Sequence, residues 1–281
     1  MSTHSTNEPL AEILDHPVKE FPPFFRQKSA VLFNGDSLEI LRSFPENSVD
    51  MIFADPPYML SNDGFTCQNG KMVNVNKGKW DKSKGFENDT VFHNEWISAC
   101  HFVLKPEGTI WISGTYHSIY QCGYILQENN FHILNDIVWF KPNASPNLSC
   151  RFFTASHETI LWARKGKKAK HTFNYTEMKN GHFPEDKLKN QNTQMRSVWS
   201  IPSPKRGEKE HGRHPTQKPL ELLKRIVLAS TNDNDIILDP FCGSGTTGVA
   251  CGCLGNRFFI GMEIDKSYCD LAKKRLSCRL D

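Results

Sequence analysis

The stretch "DIILDPFCGSGTTGVACGCLGNRFFIGMEID", residues 235–265, decides the fold class of this chain. Its apolar run predicts a buried strand, the glycine-rich turn opens a helix, and "FFIGME" predicts a second strand. "GSGTTG" (243–248) matches G-x-G-x-x-G, and Glu263 ends the second strand eighteen residues after Gly245. This is the context of a nucleotide-binding βαβ unit, with the helix N-terminus facing the ligand and the acid on the ribose. A purely structural tight turn is the weaker interpretation because of that acid.

The glycine motif alone also fits a nicotinamide-dependent oxidoreductase. Two observations disfavour that class of enzyme. The unit begins near residue 236 and leaves about forty-five residues, too few for a second mononucleotide half and a catalytic domain. Asp239 precedes the glycines at the strand end, where a carboxylate would repel a pyrophosphate but suits the cationic end of S-adenosylmethionine.

A second candidate site lies in "MIFADPPYML", residues 51–60. Asp55 follows an apolar strand, at the edge where open α/β sheets bind their ligands. Pro56 and Pro57 rigidify the turn and lack N–H donors, which leaves a carbonyl free to face a ligand. Tyr58 adds a flat surface for stacking. Together these groups suit an exocyclic amino group on a planar base.

The rest of the chain predicts alternating strands and helices, hence an α/β fold with a parallel or mixed sheet. Residues 30–44 predict a strand, a Gly-Asp turn and a helix. Further strands are predicted at 108–114, 132–140 and 157–165. Helices are predicted over 91–104, 118–129 and 214–231, the last capped by Thr216, with a weak one over 183–199. Residues 61–90 have no periodicity of their own, which is typical of a functional or mobile loop.

Composition limits the function classes. The 281 residues are 38% hydrophobic, enough for a core, and no apolar run is long enough to span a membrane. Nine cysteines without a C-x-x-C spacing predict reduced thiols in a cytoplasmic protein and no structural metal. The net charge is only +3, but basic residues gather in segments 77–85, 163–171 and 203–214. Aromatic residues lie among or near these segments (Trp80, Phe173, Tyr175 and Trp199), which favours a polyanion as partner.

"DPPY", then "HPTQKP" (214–219), then "DPFCGSGTTG" resemble, in this order, the β group of S-adenosylmethionine-dependent DNA amino-methyltransferases. These enzymes modify N6 of adenine or N4 of cytosine, and the resemblance covers about residues 30–278. "FADPPYMLSN", "WISGTYHSIY" and "NASPNLSCRFFTASHETILWARK" resemble more narrowly the second adenine methylase of DpnII-type and MboI-type restriction systems, whose site is GATC. The resemblance implies a Rossmann-like fold, with a mostly parallel seven-stranded sheet, helices on both faces and an inserted target-recognition region.

The resemblance also implies roles for individual residues. Asp55 and the Pro56 carbonyl would accept hydrogen bonds from the amino group, next to Pro57, and Tyr58 would stack on the base. S-adenosylmethionine, which becomes S-adenosylhomocysteine, would be bound by Asp36, Ser37, Thr216, Lys218, Asp239, Phe241, Gly243, Ser244, Gly245, Thr246 and Glu263. Thr216 and Lys218 would meet the methionine carboxylate, Asp36 the cofactor adenine and Glu263 the ribose. The purely structural alternatives are a helix cap for Thr216, a solvated side chain for Lys218 and a turn former for Asp36.

The resemblance implies DNA as the partner, and the protein is expected to need neither a membrane nor a metal. Whether it forms a homodimer is left open. The candidate phosphate contacts are Arg151, Lys165, Lys167, Lys168 and Lys170. The expected organisation is an arm (1–29), a catalytic half (30–165) with a mobile loop (61–90) over the flipped base, a target-recognition region (166–213) and a cofactor-binding half (214–281).

Three alternatives to adenine-N6 transfer at a duplex site remain at this point. Cytosine-N4 transfer needs the same pocket, and only the Asp at position 55, commoner than Ser in adenine enzymes, favours adenine. Activity on single-stranded DNA is also left open. A catalytically idle DNA-binding module is disfavoured by the intact acid.

Overall fold

The computed structural model describes residues 9–14, 20–59, 65–68, 71–74, 81–181, 183–186, 188, 190 and 193–279. The strands are β1 Phe25–Gln27, β2 Ala30–Asn34, β3 Val49–Ala54, β4 Phe65–Gln68, β5 Lys71–Asn74, β6 Leu104–Gly114, β7 Phe131–Phe140, β8 His157–Lys165, β9 Val198–Ser200, β10 Ile236–Asp239 and β11 Phe258–Glu263. The helices are α1 Pro9–Leu14, α2 Ser37–Leu41, α3 Phe86–Val103, α4 Ile119–Glu128, α5 Tyr175–Asn180, α6 Leu220–Ser230, α7 Thr246–Leu254 and α8 Lys266–Ser277. A 3₁₀ turn spans Arg206–Lys209.

Nine of the described strands form one sheet in the order β1-β2-β11-β10-β3-β6-β8-β7-β9. The five strands from β2 to β6 in this order are parallel, whereas β8 runs antiparallel to both of its neighbours. The parallel strands therefore end at one edge of the sheet, which we call the carboxyl edge, and begin at the other, the amino edge. Because β8 is reversed, it begins at the carboxyl edge and ends at the amino edge.

The strands are buried on both faces, which explains why they lack alternation of apolar and polar residues. Successive residues of β2 enter different apolar clusters: Val31 and Phe33 pack with α1 to α4, and Ala30 and Leu32 pack with α6 to α8. The predicted α/β fold, Rossmann-like with helices on both faces, is thus confirmed. Two three-residue edge strands, β1 and β9, widen the expected seven strands to nine.

Several element boundaries differ from those predicted. Helix α3 begins at Phe86 rather than 91, so it takes in the end of the predicted loop 61–90. Within that loop, β4 and β5 form an antiparallel pair, while residues 61–64, 69–70 and 75–80 lie outside the described residues. Helix α6 begins at Leu220 with Pro219 as its N-cap, so Thr216 lies in the preceding turn and does not cap it.

The weak helix predicted over 183–199 is not found in the described residues of that range. The segment is instead tied to other elements. Asp186 forms two hydrogen bonds with Arg225 of α6, and Trp199 pairs with Trp139 as part of β9. These tertiary contacts override the segment's weak helical preference.

Among the described residues, none of the helices combines the length and apolar character that crossing a membrane requires.

Candidate active site

A cavity of about 530 Å³ opens at the carboxyl edge of the sheet. It is bordered by both predicted motifs because β3 and β10, which carry them, are neighbours paired through Ile237–Met51 and Leu238–Ile52. The predicted residues that line it are Asp36, Ser37, Asp55, Pro56, Pro57, Tyr58, Thr216, Lys218, Asp239, Phe241, Gly243, Ser244, Thr246 and Glu263. Gly245 is the N-cap of α7, immediately behind this lining.

The glycine loop is shaped by backbone conformations that other residues rarely adopt. Gly243 and Gly245 have φ of +51° and +75°. A Cβ on Gly243 would come within 3.1 Å of the His214 ring, and one on Gly245 would come within 3.1 Å of the Ala272 Cβ. From α8, the Arg275 guanidinium donates to the Ser244 carbonyl (2.5 Å) and to the hydroxyl of Thr246 (3.0 Å). Sequence analysis did not identify this arginine as a support of the loop.

Two carboxylates hold the loop from either side. Asp239 accepts from the Phe241 N–H (3.1 Å) and the Thr247 hydroxyl (2.5 Å), and burial raises its pKa to about 7 despite these bonds. Glu263 accepts from the Gly243 N–H through Oε2 and from the Asp265 N–H through Oε1, both at 2.8 Å. Burial raises the pKa of Glu263 as well. A carboxylate has about four acceptor positions, so Glu263 keeps capacity for two ribose hydroxyls.

The arrangement fits an adenosine-containing cofactor such as S-adenosylmethionine. The cavity falls within the range of about 300–1,000 Å³ common for small-molecule sites. Gly243 keeps the loop free of a side chain where a Cβ would crowd His214, Glu263 stands at the end of β11, and Phe241 adds an apolar ring to the lining. Asp36 caps α2 through the Leu38 N–H (2.8 Å) and also lines the cavity. Its turn-forming role is thus observed, and its contact with the cofactor stays a prediction.

Asp55 is held by two donors. Its Oδ1 accepts from the Tyr58 hydroxyl and its Oδ2 accepts from the Lys218 ammonium, each at 2.5 Å. Lys218, whose side chain is 5% exposed, also lies 3.0 Å from the Tyr58 hydroxyl. Lys218 is therefore not a solvated side chain, and its expected contact with the methionine carboxylate stays a prediction. Tyr58 is almost fully buried, so its stacking on a base stays a prediction too.

Sequence analysis missed the second carboxylate of this network, Glu158. Its Oε2 lies 3.0 Å from the Tyr58 hydroxyl and 3.5 Å from the Lys218 ammonium, and its Oε1 pairs with Lys141 at 3.0 Å. The hydroxyl of Ser113, on β6, also contacts both Glu158 and Tyr58. Two acids and two lysines thus form a largely buried cluster, of which Asp55 and Lys218 line the cavity. The sequence signal was a glutamate two residues before the apolar centre, residues 160–163, of the strand 157–165.

The charges in this cluster are mutually compensated. Burial raises the pKa of Asp55, although the positive charge of Lys218 opposes the effect. Burial also acts to raise the pKa of Glu158, but attraction to Lys218 and then to Lys141 outweighs it and brings that pKa to about 2. Burial acts to lower the pKa of Lys218, whereas Asp55 and Glu158 raise it, with a net increase. Lys218 therefore keeps its proton, and together with Lys141 it balances the charge of the two acids.

The candidate DNA contacts separate into two places. Arg151 is exposed in the turn between β7 and β8, at the carboxyl edge. Lys165 ends β8 at the amino edge, where its ammonium donates to Asn47 Oδ1 (2.8 Å) and to the Leu104 carbonyl (2.7 Å). Lys167, Lys168 and Lys170 follow it there and are exposed. The structure does not bring these four lysines to the cavity.

Another basic segment, residues 203–214, does lie at the carboxyl edge. The Ser203 N–H donates to Asn143 Oδ1 in the β7–β8 turn (3.0 Å), and His214 packs beside Gly243. Lys205 and Arg206 in this segment are exposed. It is therefore better placed than 163–171 to meet a polyanion that enters the cavity. Residues 77–80 of the third basic segment lie outside the described residues.

In the part of the chain that the structure describes, no cluster of three or more His, Cys, Asp or Glu side chains is arranged to hold a metal ion. Eight cysteines are free thiols: Cys100, Cys122, Cys150, Cys242, Cys251, Cys253, Cys269 and Cys278.

Comparison with known proteins agrees with this geometry. The family model described as "DNA methylase", for N6 and N4 methyltransferases, matches residues 49–274. The Type II methyltransferase M2.DpnII of Streptococcus pneumoniae is 50% identical over 255 residues, which are 90% of this chain and 92% of that protein. The Type II methyltransferase M2.MboI of Moraxella bovis is 49% identical over 255 residues, or 90% of each chain. The crystal structure of the M1.HpyAVI–SAM complex superposes with a TM-score of 0.64 at 33% identity, covering 88% of this chain and 98% of that one.

Proposed function

The chain belongs to the DNA methylase family and is an S-adenosylmethionine-dependent DNA methyltransferase, and from this premise we propose that it methylates N6 of a flipped-out adenine in GATC sites. In this proposal it is the modification enzyme of a Type II restriction system and works in the cytoplasm, where the DNA is. The observation that carries the proposal is the position of Asp55. Its carboxylate lines the same cavity as the glycine loop, within a charge-balanced cluster.

The residues around Asp55 prepare it for the amino group of a base. The base must leave the stack, because its amino nitrogen cannot be reached inside a duplex. Tyr58 and Lys218 each occupy one acceptor position of Asp55, which leaves further lone pairs for an N–H donor. As the amino nitrogen becomes positively charged, the fixed negative charge of Asp55 stabilises it. The raised pKa of Asp55 also makes it a better acceptor for the proton that this nitrogen gives up.

Residues on the other side of the cavity would hold the methyl donor. When bound, S-adenosylmethionine supplies a methyl group on a positively charged sulfur. Glu263 would accept from the ribose hydroxyls, and the loop Phe241, Gly243, Ser244, Gly245 and Thr246 would surround the methionine part. Asp36 and Ser37 would meet the cofactor adenine, and Thr216 the methionine carboxylate. Asp239 would act mainly by holding the loop, since both of its oxygens accept bonds from it.

Adenine is favoured over cytosine by two facts. The acid that precedes the two prolines is Asp, and relatives about half identical over nine-tenths of the chain are the second methyltransferases of the DpnII and MboI systems. Cytosine-N4 transfer has support only at the level of the whole family.

The test is methylation of duplex and single-stranded oligonucleotides that contain GATC or the same bases in another order. Mass analysis of the nucleosides should find N6-methyldeoxyadenosine in the GATC oligonucleotides alone. Asp55→Ala should abolish the product while calorimetry shows S-adenosylmethionine binding unchanged, and Asp136→Ala, an exposed acid on β7, is the matched control. N4-methyldeoxycytidine, or an active Asp55→Ala enzyme, would contradict the proposal.

A further inference from the structure

The turn between β7 and β8, residues 141–156, carries an unusual concentration of exposed apolar side chains. Phe153 is 98% exposed, Phe152 is 68% exposed and Leu148 is 39% exposed. Single exposed apolar residues are ordinary, but a group of them in one turn is typical of a binding surface. Neither phenylalanine contributes to the two apolar clusters of the fold.

This turn lies beside the catalytic cluster. Its ends are joined by the pairing of Phe140 with His157 and by the Lys141 N–H, which donates to the Ser156 carbonyl (2.7 Å). Glu158, the next residue of β8, contacts the Tyr58 hydroxyl. Phe153 precedes Glu158 by five residues, so their Cα atoms are at most about 18 Å apart. That is roughly five base-pair steps along a duplex.

The tip of the turn is internally organised, so the backbone that carries the two rings is held in place. Asn147 donates from its side chain to the Phe152 carbonyl (2.8 Å) and from its backbone to the Thr154 hydroxyl (3.2 Å). Its Oδ1 accepts from the Ser149 N–H (3.0 Å). A surface that is already ordered loses less conformational entropy when a partner binds.

The charges around the tip favour a nucleic acid over an apolar protein partner. Arg151 precedes the two phenylalanines and is exposed. Lys205 and Arg206 are exposed on the segment that the Ser203–Asn143 hydrogen bond ties to this turn. Cationic side chains that alternate with aromatic rings suit unstacked bases linked by phosphates.

We propose that Phe152 and Phe153 stack on bases of the substrate DNA that lose a neighbour when the target base leaves the helix. The inference rests on the proposed function and adds the surface that stabilises the opened DNA. Arg151 holds an adjacent phosphate, while the rings hold the bases.

The experiment measures binding of a fluorescent GATC duplex by anisotropy, with S-adenosylhomocysteine present, together with methylation of the same duplex. Phe153→Ala should weaken DNA binding about fivefold or more, since a stacked base contributes roughly 5- to 140-fold in affinity. Phe153→Trp should retain wild-type affinity. Phe102→Ala, an exposed phenylalanine at the end of α3 near the amino edge, is the matched control and should change nothing.

The salt dependence separates stacking from charge. Phe153→Ala should leave the slope of log affinity against log salt unchanged, whereas Arg151→Gln should reduce it by about one phosphate contact. If wild type methylates adenine and Phe153→Ala binds DNA as wild type does, the inference is wrong and the proposed function stands. If wild type forms no N6-methyladenine, the proposed function itself fails. A change in sedimentation of Phe153→Ala without loss of DNA affinity would assign the rings to a contact between copies of the chain.

Discussion

The buried cluster around Asp55 makes Glu158 the most informative residue to change. Glu158→Gln keeps the shape of the side chain and removes its charge. Lys218, whose side chain is 5% exposed, would then keep only the carboxylate of Asp55, and Lys141, whose side chain is 18% exposed, would lose its ion pair with Glu158. Glutamine has one acceptor oxygen and one donor nitrogen, so its amide can accept from Lys218 on one side or from Lys141 on the other, but not from both.

Two independent arguments give the size of the effect. Removing one partner of a buried ion pair leaves an uncompensated charge and costs about 3–5 kcal/mol. The pKa of Glu158 is lowered from its ordinary value of 4.5 to about 2. At about 1.4 kcal/mol for each pH unit, this difference corresponds to about 3 kcal/mol. We therefore expect Glu158→Gln to lower the free energy of unfolding at pH 7 by about 3 kcal/mol.

The pH dependence provides a second readout of the same residue. Because the folded protein holds this proton more weakly than the unfolded chain, the stabilisation is present above pH 4.5 and disappears as the pH falls toward 2. Between pH 7 and pH 3.5 the difference between wild type and Glu158→Gln should shrink by about 1 kcal/mol.

Urea unfolding followed by circular dichroism, repeated at several pH values, measures both quantities. Glu107→Gln, an exposed glutamate of β6, is the matched control and should follow wild type within about 0.5 kcal/mol. If Glu158→Gln unfolds with the wild-type free energy, or with a constant difference from wild type down to pH 3.5, the ion-pair argument is refuted.

Two further predictions concern the supports of the site. Glu263→Gln should weaken S-adenosylmethionine binding about tenfold or more in calorimetry, because a charged acceptor is lost. The control Glu177→Gln, on the surface of α5, should bind as wild type does. Equal affinities of the two variants would contradict the contact between Glu263 and the ribose. Arg225→Met should cost about 3–5 kcal/mol in the free energy of unfolding, because it leaves the buried Asp186 carboxylate without its ion pair. The exposed cation of Arg42, changed to Met, should cost less than about 1 kcal/mol, and similar losses for both arginines would show that burial is not the cause.

The sequence was sufficient to predict the parts of the candidate site that depend on local patterns. The glycine loop, the acid at the end of β11 and the "DPPY" turn were all predicted to lie at one edge of the sheet, and fourteen predicted residues line one cavity there. This succeeded because the carboxyl ends of parallel strands meet at the same edge, whatever their distance along the chain. The alternation of strands and helices was enough to apply that rule.

The sequence was not sufficient to predict which residues reach the cavity when this depends on the direction of a strand. A segment such as "HETILWARK", with an apolar centre, predicts a strand without showing which way it runs. The antiparallel direction of β8 brings Glu158 to the carboxyl edge and takes Lys165 to the amino edge. The same reversal moves Lys167, Lys168 and Lys170 away from the cavity, so a count of basic residues could not show which segment faces the DNA.

The place of β10 in the sheet also affects how the chain acquires its structure. This strand begins at residue 236, yet it lies between β11 and β3, in the middle of the sheet. Until the ribosome has released residues 236–263, β2 and β3 have no strand between them, and the edges that will face β10 and β11 stay unpaired. Exposed edges of this kind are prone to pair with other chains, and pairings between distant residues form slowly. The β3 edge is therefore open to such pairing until β10 has been synthesised, and a truncation before β10 would divide the sheet in addition to removing the glycine loop.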